Sequence, residues 1–400
     1  MHLFHKYHSL KIYRLFHSEF WLFELSVWLH VFSRAMIAIF IPIFLLNLDY
    51  SLSEVLLYYI IYNLFDLPLN FFVKWLIERI GARKVIILGT LFSVVFFIIL
   101  YTLNSGNWTL IVLLALFGAL YDTFYWVGHI YLFMKCNRST KNVTKDISVL
   151  YIVKKLATFV APIIGAAILI FFEKNVLIVI SVIILILSSW PLFKIKNIRD
   201  KPTKKTTFFK FFKKWDDVKE YLIYSIASFH WVSEGVIWPI FIYTIFASIE
   251  SVAIIPVIVS ITTILFTYFA GKYTKGNHSL VMSLGAFLVA CTWLGRIFIQ
   301  NEIFYFISVF LIGLFIVIYA LPLDAELYGK GEKKNALATS AYRNFFSMLP
   351  RIFFFILLFF MLEVFKVSFI AAAISMFLIV AVNMFFLARK NRTKRSSLSH

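Results

Sequence analysis

Twelve apolar runs, each 20 to 28 residues long and carrying few charges, decide what this chain can become. A helix of about 20 residues crosses the ~30 Å hydrocarbon core of a bilayer, and no soluble core absorbs a dozen of them. The runs occupy residues 21–47, 53–76, 84–103, 108–134, 146–171, 175–194, 220–247, 252–271, 279–300, 303–328, 336–361 and 366–388. Of the 400 residues, 62% are hydrophobic and 15% charged. Ordinary soluble domains carry about 25% charged residues. The expected fold is therefore an all-α polytopic membrane protein with twelve transmembrane helices.

The formal charge of +19 would suggest nucleic acid in a soluble chain, but the positions of the charges explain it better. Counted along the alternating loops, 31 of the 39 Lys and Arg fall at the two ends and in the loops after even-numbered runs. The opposite loops hold only Lys174 and Lys366. Positive loops stay in the cytoplasm, which predicts a plasma-membrane protein with both termini inside. The expected segments are a basic N-terminal stretch (1–20), a six-helix half (21–194), a basic linker (195–219), a second half (220–388) and a basic tail (389–400). The tail suits contact with anionic lipid.

The halves carry traces of a repeat. His30-x-x-Ser33-Arg34 in the first run matches His230-x-x-Ser233-Glu234 in the seventh. Gly89 matches Gly285 and Gly118 matches Gly313, and the same offset sets His129 against Asp324. Lys155 and Pro162 match Arg343 and Pro350. The matches keep one order through both halves, as in transporters built by internal duplication.

Between the second and third runs lies Glu78-Arg79-Ile80-Gly81-Ala82-Arg83-Lys84. Gly81 permits a tight turn. The stretch resembles the loop signature of the major facilitator superfamily, Gly-x-x-x-Asp-Arg-x-Gly-x-Arg-Arg/Lys. Arg79, Gly81, Arg83 and Lys84 match, Glu78 replaces the aspartate, and Lys74 replaces the first glycine. The resemblance implies 6+6 helices and a gating role for this turn, with Glu78 and the arginines in a charge network. The missing glycine puts close packing of the second helix on the eleventh in doubt. Ala157, Ala161, Gly165 and Ala166 around Pro162 are similar to the family's antiporter signature, with small residues kept and three glycines lost. Export in exchange for another ion is the direction that signature implies.

Charges inside the runs carry the chemistry, because each costs about 2.5–3.5 kcal/mol at the bilayer centre unless paired or hydrated. Arg34 and Glu234 fall near mid-depth at repeat-related positions, so an ion pair across the two halves is expected. Asp66 and Asp122 also fall near mid-depth and are candidate proton or substrate sites, with His30 and His230 beside them. Asp122, Trp126 and His129 share one helix face, with His129 expected at the membrane interface. Lys155 and Arg343 lie a third of the way in, where they would gate the inner mouth or attract anions. Lys154 and Arg296 are expected to snorkel.

A secondary transporter working by alternating access is expected, proton-coupled through Glu234, with Asp122 and Asp66 next in order. Its partners would be a small solute, protons and membrane lipids, with no nucleic acid. No phosphate-binding loop, metal-spaced His/Cys cluster or nucleophile elbow occurs, so neither a cofactor nor an enzymatic activity is expected. The alternatives are a lipid-modifying membrane enzyme, which would need its acidic or histidine site at one interface, and a transporter-like receptor or scaffold.

Overall fold

The computed structural model describes residues 18–136, 143–199, 208–213, 217–273 and 278–398; at 143–144, 209–210, 268–273, 278 and 390–398 only the backbone is described. The first 17 residues and the Lys201–Thr207 run of the linker lie outside the described residues, as do the side chains of the basic tail beyond Arg389. Twelve helical rods and no strand occur among the described residues.

In the first half they are α1 (Glu19–Leu46), α2 (Leu52–Ile80), α3 (Ala82–Thr102), α4 (Trp108–Lys135), α5 (Val143–Phe171) and α6 (Lys174–Phe193). In the second, α7 begins as Lys219–Val232, passes through a π-helical turn at Ser233–Ile237 and ends as Trp238–Phe246. Then follow α8 (Ile249–Tyr273), α9 (His278–Phe298), α10 (Glu302–Lys334), α11 (Ala336–Phe359) and α12 (Val364–Leu398). Eleven are individually long and apolar enough to cross a membrane. The twelfth, α7, has the length as well, but its α-helical pitch is interrupted at the π turn that carries Glu234. Such single π turns insert an extra residue and commonly mark functional positions.

Local chemistry sets the helix ends. Ser51 and Glu54 form a reciprocal capping box at the start of α2, with the Glu54 carboxylate accepting from the Ser51 N–H at 2.7 Å. Asn107, Asn301 and Asn335 cap α4, α10 and α11 through their side-chain oxygens. Gly81, at φ +90°, separates α2 from α3 without a loop, a backbone state that L side chains resist.

Within each half the same contacts recur. Helix α3 packs on α4 and α9 on α10; α2 packs on α4 and α8 on α10; α1 packs on α6 and α7 on α12. A Cβ at Gly89 would stand 2.7 Å from the Tyr125 nitrogen of α4, and one at Gly285 would stand 2.7 Å from the Tyr319 nitrogen of α10. Ser33 donates to the Ser181 carbonyl of α6 at 2.6 Å, and Ser233 donates to the Ser368 carbonyl of α12 at 3.2 Å. These pairs express in three dimensions the repeat seen along the chain. Small and hydroxyl side chains do this work because helices in lipid gain by close approach and interhelical hydrogen bonds rather than by hydrophobic burial.

The halves meet chiefly along α5–α8 and α2–α11. Helix α2 packs closely on α11 despite Lys74 in place of glycine, because the contact is made elsewhere along α2. Tyr59 stacks on Phe355 at 5.1 Å, Phe71 meets Phe345, and the Asn344 amide donates to Asn70 Oδ1 at 2.9 Å. The end of the bundle that holds Gly81 and the linker is its basic end. There Phe133 meets Tyr328 and Tyr151 donates to Asp324 at 2.6 Å. At the far end Tyr243 donates to Asn47 at 2.9 Å. Contacts between the halves therefore occur towards both ends of the bundle.

Candidate functional site

A cavity of about 300 Å³ between α1, α5, α7 and α8 includes Lys155 and Glu234, and beside it two connected cavities occupy the space between the halves. The larger, about 430 Å³, is lined by α4, α5, α7, α10 and α11; the smaller, about 240 Å³, reaches α1, α2 and α3. Asp122, Trp231 and Arg351 line both, so they form the passage from one to the other. By residue count these three sit near the middle of α4, α7 and α11, so the site lies at mid-depth.

Five cations face this space: Arg34 in the smaller cavity, Lys154, Lys155 and Arg343 in the larger, and Arg351 in both. Among the described residues none of the five forms an ion pair. The Arg34 guanidinium lies 4.3 Å from the Tyr121 ring centre and 5.0 Å from those of Phe96 and Phe97, and donates to Ser93 Oγ at 3.3 Å. Arg351 donates to Ser347 Oγ at 3.2 Å, and Arg343 stands over the Tyr224 ring at 4.7 Å. Lys154 stands 4.7 Å over the Trp126 ring, so it faces the cavity and does not snorkel. Ring faces attract cations through their quadrupole, which eases a guanidinium in a low-dielectric setting without neutralising it.

Three carboxyls are taken up by the protein itself. Glu234 accepts from Arg296 at 2.6 and 3.4 Å, and this Arg is fully buried between the Trp238 and Trp293 rings. Asp324 accepts from the hydroxyls of Tyr151 and Tyr224. Asp66 Oδ1 accepts from Thr123 at 2.5 Å and from the Asn70 and Asn344 amides at 3.3 Å. Its Oδ2 is buried and has no hydrogen-bond partner among the described residues.

Several expectations are corrected. Arg34 and Glu234 do not pair across the halves, because each faces the third helix of its own half: Ser93 on α3 for Arg34, Arg296 on α9 for Glu234. Repeat symmetry, the feature that suggested the pair, is what turns both side chains the same way. Arg296 is not a snorkelling side chain but the buried partner of Glu234. His129 is buried against Phe23 and Tyr125 rather than placed at an interface. His30 stacks on Tyr125 at 3.5 Å and hydrogen-bonds Tyr121 at 3.1 Å; His230 accepts from the Trp293 indole at 2.8 Å. Both histidines thus brace their own half and neither lines the two joined cavities.

The Gly81 turn is built differently from the expected charge network. Glu78 pairs with Lys74 one turn back at 2.9 Å, and Arg79 lies over Trp75 at 4.2 Å. Arg83 donates to the Phe193 and Ile195 carbonyls at 3.3 and 2.9 Å, Asn197 donates to the Ile80 carbonyl at 2.8 Å, and Lys84 is exposed. The turn is therefore clamped to the chain leaving α6. Around Pro162, Ala157 and Ala161 are fully buried and Gly165 abuts the Met36 backbone where α1 breaks. This seam is a packing surface of α5 on α1.

Residues 24–314 match the family model described as Major Facilitator Superfamily. Among solved structures, the human organic anion transporter MFSD10 (TETRAN) superposes with a TM-score of 0.70 at 10% identity, over 91% of this chain and 98% of that one. A Major Facilitator Superfamily transporter, FucP, in the outward conformation superposes with a TM-score of 0.69 at 11% identity, over 93% of this chain and 99% of that one. The E. coli fucose:proton symporter FucP gives a TM-score of 0.66 at 11% identity, over 92% and 98%. At these identities the likeness concerns the fold. No curated protein matches the chain.

Proposed function

The chain belongs to the major facilitator superfamily, a family of secondary transporters, and on that premise we propose that it moves a small solute through the two joined cavities by alternating access, coupled to protons. Membership points to a transporter rather than an enzyme. The orientation proposed is the one the basic residues favour, with the Gly81 end facing the cytoplasm of a plasma membrane.

The single observation that carries the reading is the mid-depth passage at Asp122, Trp231 and Arg351, where helices of both halves meet around one space. Rocking the halves about that point opens it to one side at a time. The proton role first expected of Glu234 needed Arg34 within reach, and Glu234 is held by Arg296 instead. The carrier is Asp122, which lines the passage, with the buried Asp66 as second choice. Asp66 receives a hydrogen bond from Asn344 of the other half, so a change in its charge would be felt at the α2–α11 contact. The seam around Pro162 is explained by its packing on α1 and gives no support to export.

The test begins with a thermal-shift screen of purified protein against a panel of metabolites and drugs, repeated on Arg34→Ala. The stabilising solute is then used in sealed vesicles. Asp122→Asn is expected to retain exchange of that solute and lose its accumulation under an imposed pH gradient. Accumulation that persists in Asp122→Asn would remove Asp122 as carrier. A wild-type protein that binds the solute but exchanges none would remove the transport reading itself.

A further inference from the structure

We infer that the solute is an elongated organic dianion with a flat apolar middle, held by two separate cationic clusters. The inference rests on the transporter reading for its biological sense, but the binding site it describes stands on the cavity alone.

The first support is charge. Arg34, Arg343 and Arg351 cannot be deprotonated, and all three line the cavities with hydroxyls and ring faces as their partners and no carboxylate in an ion pair. Lys154 and Lys155 add to the same wall. Against these five, the walls of the two joined cavities carry two carboxyls, Asp122 and Asp324, so cations outnumber anions there. A cationic solute would enter a repulsive field, and a neutral one would leave the excess positive charge uncompensated, a costly arrangement inside a membrane. An anion satisfies them directly, and Arg forks bind carboxylate or phosphate oxygens in pairs.

The second support is shape. Arg343 and Arg351 stand eight residues apart on α11, about 12 Å of helical rise. Lys154 and Lys155 lie beside Arg343 in the larger cavity, and Arg34 lies beside Arg351 in the smaller one. Between the two clusters the passage is walled by Trp231, with Trp126 next to it in the larger cavity. A rod with an acidic group at each end and an aromatic or flat apolar centre fits this order. A compact inorganic anion would engage one cluster and leave the other unused. The clusters also come from both halves, with Arg34 and Lys154 from the first and Arg343 and Arg351 from the second. A dianion therefore draws the halves together, whichever face it enters from.

Binding is measured by calorimetry on the purified full chain in detergent with a matched series. The series is para,para′-biphenyl dicarboxylate, biphenyl monocarboxylate, the neutral dimethyl ester, the corresponding bis-amidine, and sodium sulfate. The diacid is expected to bind about tenfold or more tighter than the monoacid, with the ester and the amidine silent and sulfate a weak competitor. Arg343→Gln and Arg351→Gln should each bring the diacid down to the affinity of the monoacid. Lys154→Gln, at a position closer to the basic end, gives a second reading should either arginine variant fail to fold. Equal affinity for monoacid and diacid would overturn the two-cluster claim. Tight binding of the ester or amidine, sulfate that competes as well as the monoacid, or no binding by any member would overturn the dianion class. Any of these outcomes can occur while the screened solute is still transported, so the two readings fail separately.

Discussion

At the scale of single residues, Arg296 lies fully buried between two indole rings with Glu234 as its counter-charge. Removing one member of a buried pair strands the other charge, at a cost of about 3–5 kcal/mol. Glu234→Gln should therefore lower the melting temperature of the purified protein, and Glu234→Gln combined with Arg296→Met should recover most of the loss. A Glu234→Gln protein as stable as wild type would mean that the pair contributes nothing to folding. The Arg34 environment leads to a second prediction. Arg34→Lys keeps the charge but loses the planar face lying against three rings. Solute affinity should fall several-fold without loss of fold, measured by calorimetry beside the thermal melt. Arg34, Asp66, Asp122 and Glu234 are legible in the sequence because a charge within an apolar run stands out. Their partners are not, since these depend on how each helix is rotated about its axis, which periodicity fixes only to a face. Arg296 and Asn344 escape sequence reasoning as functional neighbours for that reason: one lies near a predicted helix end and the other among serines and phenylalanines.

At the scale of helices, backbones approach most closely where a Cβ has no room, as at Gly89 and Gly285. Gly89→Val and Gly285→Val should each destabilise, by about 1–3 kcal/mol or more, since overpacking displaces whole helices. Gly329 on α10 has open space within 4 Å of where a Cβ would stand, so Gly329→Ala is the matched control and should cost nothing. Thermal melts of the three variants check the point. At the Gly81 turn, Arg83→Ala removes the two carbonyl contacts that clamp the turn to the chain after α6. Solute affinity should stay and transport should slow. A parallel loss of affinity would place Arg83 in the solute site instead. The number and order of spans can be read from length and hydropathy, and the repeat from its glycines, because those causes are local. The exact junctions cannot. Helices α2, α10 and α12 run past their predicted ends because their last turns are polar yet still helical, with Lys219–Glu326 and Lys330–Glu220 pairs tying α10 to α7.

At the scale of the whole molecule, the two halves touch towards both ends and line charged space between them. The family resemblance and the positive-inside count make the two-half architecture and its expected orientation readable. The character of the site is not readable, because it depends on which cations remain without carboxylates once the helices have packed. Alternating access requires the end contacts to open in turn. Tyr243 and Asn47 meet across the halves at the far end through the tips of their side chains, so cysteines at both positions, bridged by a reducible bis-maleimide, should hold that end shut. The native Cys136 and Cys291 form no disulfide, and replacing both with serine gives a clean background for the cross-link. The central claim is that one mid-depth site is offered to each side of a membrane by this motion. Uptake of radiolabelled solute, taken from the screen or from the diacid series, into sealed vesicles holding the Asn47→Cys/Tyr243→Cys protein tests it most directly. The account predicts saturable uptake that an inward proton gradient accelerates, that stops when the cross-link forms, and that returns when the linker is reduced. Uptake that continues through the cross-linked protein, or tight binding with no uptake under any gradient, would contradict it.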